Sequence, residues 1–166
     1  MIEAIPTDDP AIPFDSREYA SQYTIELIES ARQEICFFGP ELDSVLFNNQ
    51  MVIDKLITFI NQSQRCTVRL LVHNTRQSTA QRHLLIPLAQ RLSSKIQIHI
   101  ADRQEQKLRH MSLLVDKKAF LYCPNANRYE GVVDFDATGQ VSNRKKDFDD
   151  MWARSEFDLN TRRLQL

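Results

Sequence analysis

The segment Arg109-His110-Met111-Ser112-Leu113-Leu114-Val115-Asp116 sets a histidine at the head of an apolar run that an aspartate closes. An imidazole there could serve as nucleophile or as general acid and base. Few other residues offer chemistry. The 3 glycines are Gly39, Gly131 and Gly139, and neither GxGxxG nor GxxxxGK[ST] occurs, so the two common phosphate-cradling loops are absent. HExxH and GxSxG are absent too. His73 and His83 stand ten residues apart on polar sequence, a spacing that suits surface histidines better than metal ligands. No metal and no cofactor are expected. The arginines suit a different task. A guanidinium grips phosphate through paired hydrogen bonds without reacting. Arg109, Arg69, Arg76 and Arg82, with His83 and Asp116, form the candidate anion-binding set. The competing reading is a group of solvated charges paired with Asp and Glu.

The elements that position these residues follow from periodicity. Residues 1–15 hold Pro6, Pro10 and Pro13 and read as an extended arm. Asp15 or Ser16 caps a helix over 16–32, with Tyr23, Leu27 and Ala31 at helical spacing. Glu34 to Phe38 is a buried strand ended by Gly39-Pro40, and a loop leads to a helix from Val52 to Ile60. Thr67 to Val72 is a strand apolar enough to be covered on both faces. Residues 73–83 are a polar loop entering a helix through Leu84, Leu85, Leu88 and Leu92, in which Pro87 must sit in the first turn or bend the axis. Ile96, Ile98 and Ile100 mark another strand, and Asp102 to Lys107 a charged loop. Met111–Val115 and Ala119–Tyr122 pair across Asp116-Lys117-Lys118 as a hairpin. Gly131 to Phe135 is a further strand, and Arg144 to Asp147 leads into a last helix through Phe148, Met151 and Trp152. Trp152, the only tryptophan, reads as core packing, with an interface anchor as the alternative.

That order is an α/β fold with a mixed, largely parallel sheet flanked by helices. Together with the Arg109–Asp116 segment it resembles a single half of the phospholipase D superfamily over about residues 16–155. A small bacterial domain of uncharacterised role, sometimes found beside acetyltransferase domains, looks like the nearest kin. In the superfamily a His-x-Lys pair opens the strand and an Asp follows the His by seven positions. Counting back from Asp116, those positions hold Arg109 and Met111, and His110 is one residue out of register. A one-residue shift on a strand turns a side chain to the opposite face. The resemblance implies a histidine nucleophile, a second histidine as acid and two lysines on the phosphoryl oxygens. Arginine stays protonated and methionine carries no charge, so the segment lacks both nucleophile and electrophile. The reading is therefore a non-catalytic phospholipase D-like module, a pseudoenzyme with a residual anion (phosphate) pocket. The alternatives are a nucleic-acid-binding protein, or a homodimeric single-motif phosphodiesterase or nuclease. In the last, His110 is the one catalytic candidate and Ser112 replaces the lysine. Such half-domains pair, so a homodimer is expected; nucleic acid or another phosphate-bearing ligand is the other partner class.

Composition agrees with one ordinary domain. The 166 residues are 42% hydrophobic and 26% charged, and the net charge of −1 excludes a strongly basic domain that grips nucleic acid by bulk electrostatics. Cys36, Cys66 and Cys123 are odd in number and far apart, which favours free thiols. Residues 16–157 are the expected domain and 158–166 a tail. The first residues carry Glu3, Asp8 and Asp9, unlike a signal peptide, and no run approaches the roughly 20 apolar residues of a membrane span. A cytoplasmic location follows as the expectation.

Overall fold

Side chains alternate along each strand, and here both sets are apolar, so one sheet must be covered twice. The computed structural model describes residues 11–159 and 161. The strands are β1 (Ile12–Phe14), β2 (Glu34–Gly39), β3 (Thr67–Val72), β4 (Ile96–Ile100), β5 (Met111–Val115), β6 (Ala119–Cys123), β7 (Gly131–Asp134) and β8 (Glu156–Phe157). They form one sheet in the order β1-β7-β6-β5-β2-β3-β4-β8. The helices are α1 (Arg17–Ser30), α2 (Ser44–Phe47), α3 (Gln50–Ile60), α4 (Arg76–Ala80), α5 (Leu85–Arg91) and α6 (Thr138–Ala153), with a 3-10 helix at Arg103–Lys107. The fold is the mixed α/β sheet flanked by helices that the sequence indicates, but the expected predominance of parallel strands does not hold: two of the described pairings are parallel and five antiparallel, because the hairpin and the short outer strands add to the sheet in antiparallel fashion. Its parallel part is the block β2-β3-β4; β5 runs antiparallel to β2, and the hairpin, β7, β1 and β8 extend the sheet in antiparallel fashion.

One face carries Ile35, Phe37, Leu70, Val72, Ile98, Leu113 and Leu121, buried under α1, α2, α3 and α5. The other carries Cys36, Phe38, Leu71, Leu114 and Phe120, and α6 packs there through Val141 and Phe148. Side-chain caps fix the helix starts. Ser16 Oγ accepts from Tyr19 N, Asp43 from Leu46 N and Asn49 from Val52 N. Pro87 falls in the first turn of α5, where its missing N–H costs nothing. At the β5–β6 turn, Asp116 and Lys117 both take a φ of 57°, as a tight hairpin turn needs. Gly131 is sterically required, because a Cβ there would lie 1.9 Å from the Tyr122 carbonyl oxygen.

Several elements differ from their sequence reading. The last helix starts at Thr138, well before Arg144, so the charged run lies inside it. The loop after β2 contains α2, and the charged loop after β4 is a 3-10 helix. Residues 12–14 of the expected arm join the sheet as β1. Residues 1–10, and all of the expected tail but Asp158, Leu159 and Thr161, lie outside the described residues.

Candidate binding site at the carboxyl edge of the parallel strands

In open α/β sheets, ligands bind beyond the carboxyl ends of the parallel strands. Here that edge is formed by Gly39, Val72 and Ile100, and β5 begins there because Ser112 pairs with Phe38. The crossover from β4 to β5, residues 101–110, therefore runs along the edge. It is held in three ways. Glu105 accepts from Arg154, with Nη2 at 2.7 Å and Nε at 2.9 Å. Gln106 Nε2 donates to the carbonyls of Ala101 at 3.1 Å and His73 at 3.5 Å, tying the crossover to the loop after β3. Asp102 accepts from Gln104 N.

His110 ends this crossover, half-buried on the α6 side, with its ring centroid 5.0 Å from Phe38 and 5.6 Å from Tyr122. Burial, then the charge of Arg144, holds its pKa below the usual histidine range. The next residue faces the other way: Met111 is 1% exposed, in the core beneath α1–α3. Arg109 is exposed. His73 is buried with its ring 5.9 Å from Phe38, and burial, then Arg109, lowers its pKa. It is thus not the surface residue its polar surroundings suggest. Beside His110 opens a cleft of about 490 Å³ lined by Gln104, Glu105, Leu108, His110 and, across from them on α6, Asp147, Asp150, Met151 and Arg154.

The structure does not assemble the candidate anion set as one group. Arg109 and Arg76 are both exposed at this edge, Arg76 three residues beyond His73. Arg82 is exposed at the α4–α5 turn with a φ of 56°. Arg69 is elsewhere. It lies mid-strand beneath α6, 3.0 Å from Asp149 and 3.4 Å from Cys36 Sγ, its guanidinium over Phe148 and Trp152. His83 is fully buried, and Leu85 N donates to its Nδ1 at 3.1 Å. Its proton must then sit on Nε2, facing the Asp43 carbonyl at 3.4 Å. Burial lowers its pKa, so it offers an anion no charge. Asp116 stands at the opposite end of the sheet, accepting from the backbone N–H of Arg32, Gln33 and Glu34 at 2.7, 2.7 and 3.0 Å. It lies seven positions along the chain from Arg109, with all of β5 between them, about 20 Å, so it cannot share a pocket with that arginine. Arg103 and Lys107, outside the sequence-derived set, are also exposed on the crossover.

Residues 16–164 match the family described as Domain of unknown function (DUF7931). The chain belongs to that family. No curated protein matches the sequence. Solved structures do resemble it in fold. One is TrmBL2, an archaeal chromatin protein whose structure shows a novel mode of DNA binding, with a TM-score of 0.65 at 17% identity. That likeness covers 94% of this chain and 56% of TrmBL2, so the chain spans little more than half of that relative. Nuc of Salmonella typhimurium, a phospholipase D family member, gives 0.65 at 13% identity over 89% of this chain and 96% of its own. NucT from Helicobacter pylori gives 0.58 at 14% identity over 89% and 98%. At these identities the likeness establishes the phospholipase D-like fold. Among the described residues no helix is long and apolar enough to cross a membrane, and no three His, Cys, Asp or Glu side chains are grouped to hold a metal ion.

Proposed function

We propose that this protein is a non-catalytic binding module on the phospholipase D fold, with a cationic carboxyl edge that takes a phosphate-bearing ligand. The observation that carries the reading is Met111. At the position where the chemistry needs an ammonium on the phosphoryl oxygens, a methionine is packed into the core, 1% exposed. Arg109 precedes it, permanently protonated and unable to attack phosphorus. His110 packs on the opposite face, and its alternate register would replace the lysine by Ser112, which has no charge. Each lost group typically contributes about a hundredfold or more to rate, so losing nucleophile and electrophile together leaves no useful turnover. Arg109 and Arg76 remain as ligands for an anion and have no ion pair among the described residues. Pairing of two copies belongs to the same reading; light scattering at increasing concentration tests that part.

The test is direct. Wild-type protein and His110→Ala should both leave bis-p-nitrophenyl phosphate and single-stranded DNA at the buffer rate. Hydrolysis that disappears in His110→Ala overturns the reading. Inorganic phosphate should shift the amide resonances of Arg109 and its neighbours, and Arg109→Ala should abolish that shift.

A further inference from the structure

A groove of about 600 Å³ follows α1 where α2 and α3 meet it. Its apolar lining is Ile25 of α1 and Val45 of α2, both half-buried, with Met51 of α3, which is 56% exposed. An exposed methionine beside two half-covered aliphatic side chains is surface that gains from being covered. The rest of the lining belongs to one face of α1, and its charges are sorted along the helix. Arg17, exposed in the first turn, marks one end, with its guanidinium over the Tyr129 ring at 5.4 Å. Glu26 lies nine residues on, about 14 Å along the axis. One of its oxygens accepts from Gln22 Nε2 at 3.0 Å. Among the described residues neither Arg17 nor Glu26 has an ion pair. Beyond them Lys55 of α3 joins Glu29 of α1 at 2.7 Å, so the two helices are fixed beside each other.

An anionic membrane does not fit this groove, because Glu18 and Glu26 line it and repel the lipid headgroups. A helix of one charge sign meets a like charge at one end or the other. A second copy of this chain meets none there. The midpoint between Arg17 and Glu26 falls between Ser21 and Gln22, which also line the groove. A two-fold axis at that point lays the two α1 helices antiparallel and sets each Arg17 against the partner's Glu26. Ser21 at the crossing is small and lets the helices approach. Met51, unbranched and adaptable, packs on the apolar lining opposite. Resting on the pairing of copies in the reading above, we propose that two copies associate through α1, with reciprocal Arg17–Glu26 pairs closing an apolar centre of Ile25, Val45 and Met51. The contact runs along about 14 Å of helix, so the association belongs to the weak, transient class.

The experiment is sedimentation equilibrium of the full chain from about 10 μM to about 1 mM, a range in which a weak dimer forms and dissociates. Wild type should pass from monomer to dimer. Arg17→Glu places two glutamates against each other at both ends of the interface, and Glu26→Arg places two arginines there. Each reversal suits its end of the helix dipole, and circular dichroism confirms the fold. Each should weaken self-association about tenfold or more, because the change acts twice across the axis. Mixed in equal amounts, the two variants should associate to within about threefold of wild type, since a mixed pair holds one Arg–Glu contact at each end. A wild-type dimer whose affinity neither reversal changes overturns this surface and leaves the pairing of copies standing. A wild type that stays monomeric at the highest concentration overturns both, and the phosphate shift at Arg109 then decides the anion edge alone. Weakened variants that stay monomeric when mixed overturn the Arg17–Glu26 register.

Discussion

Replacing Asp116 by alanine removes an acceptor that three backbone donors share. A hydrogen bond to a charged group contributes about 1.5–3 kcal/mol when buried, and about 1 kcal/mol is the fair figure for this half-exposed carboxylate. Three such bonds come to about 3 kcal/mol. The residue also holds a φ of 57°, and alanine in that left-handed conformation costs about 1 kcal/mol more. Asp116→Ala should therefore lose about 4 kcal/mol. Asp116→Gly relieves the backbone but not the amides, and should lose about 3 kcal/mol. Asp116→Asn keeps one accepting oxygen and tolerates the positive φ, so about 1–2 kcal/mol is expected. At about 2–4 °C per kcal/mol for a domain of this size, the alanine variant melts about 8–16 °C lower. Thermal and urea denaturation followed by circular dichroism measure the order Asn, Gly, Ala. An alanine variant within 1 kcal/mol of wild type (on the scale of surface substitutions), or an asparagine variant as damaged as alanine, refutes the assignment of Asp116 as a staple. Phosphate binding should be unchanged in Asp116→Asn; its loss would return the residue to the anion set.

Met111→Lys restores a lysine but puts an ammonium in the core, so a loss of about 4 kcal/mol or more and no phosphodiesterase activity are expected; a variant as stable as wild type by urea titration would refute the buried placement. His99 is held at a pKa of about 4 by burial, then by Arg69. Its folded value lies below its ordinary one, so the unfolded chain takes up the proton first. The contribution, about 3 kcal/mol, is complete above about pH 6.5 and is lost as pH falls towards 4. Urea midpoints between pH 7.5 and 4.5 should fall less steeply for His99→Gln than for wild type, and equal slopes would remove His99 as a cause. Gly131→Ala drives a methyl into the Tyr122 carbonyl; a loss of about 3 kcal/mol or more is expected in thermal melts, and an unchanged Tm would refute the close β6–β7 approach.

Where apolar periodicity and caps agree, the chain was legible. Ser16 and the spacing of Leu27 gave α1, Gly39-Pro40 closed β2, and the turn at Asp116 gave the hairpin. The start of α6 was hidden because its buried set is Val141, Lys145 and Phe148: a charge stands where a helix stripe would show an apolar residue. β1 and β8 were too short for a period to register. The site was legible only in part, for a geometric reason. Sequence neighbours on a strand share neither end nor face. Arg69 is one residue from Leu70 yet lies under α6, and Asp116 closes the same segment that Arg109 opens yet sits at the other end of the sheet. His83 looked exposed because its neighbours are polar; it is instead the buried ring that receives Leu85 N.

Beside the apolar packing of Val141 and Phe148, charged side chains hold α6 to the sheet. Lys145 reaches Glu34 and Asp149 at 3.4 and 3.1 Å, Arg69 reaches Asp149, and Arg144 lies over Phe120 and Tyr122. The more exposed of these attractions, those that reach Asp149, weaken with ionic strength, whereas the apolar contacts under α1 and α3 do not. Amide exchange in α6 should thus proceed through a partial opening favoured by salt, while β2 and β3 exchange only with the whole molecule. The lone Trp152, stacked on His99 at 3.7 Å, rides on that helix. Its emission is a gauge of the peeling of one layer, not of the melting of the domain.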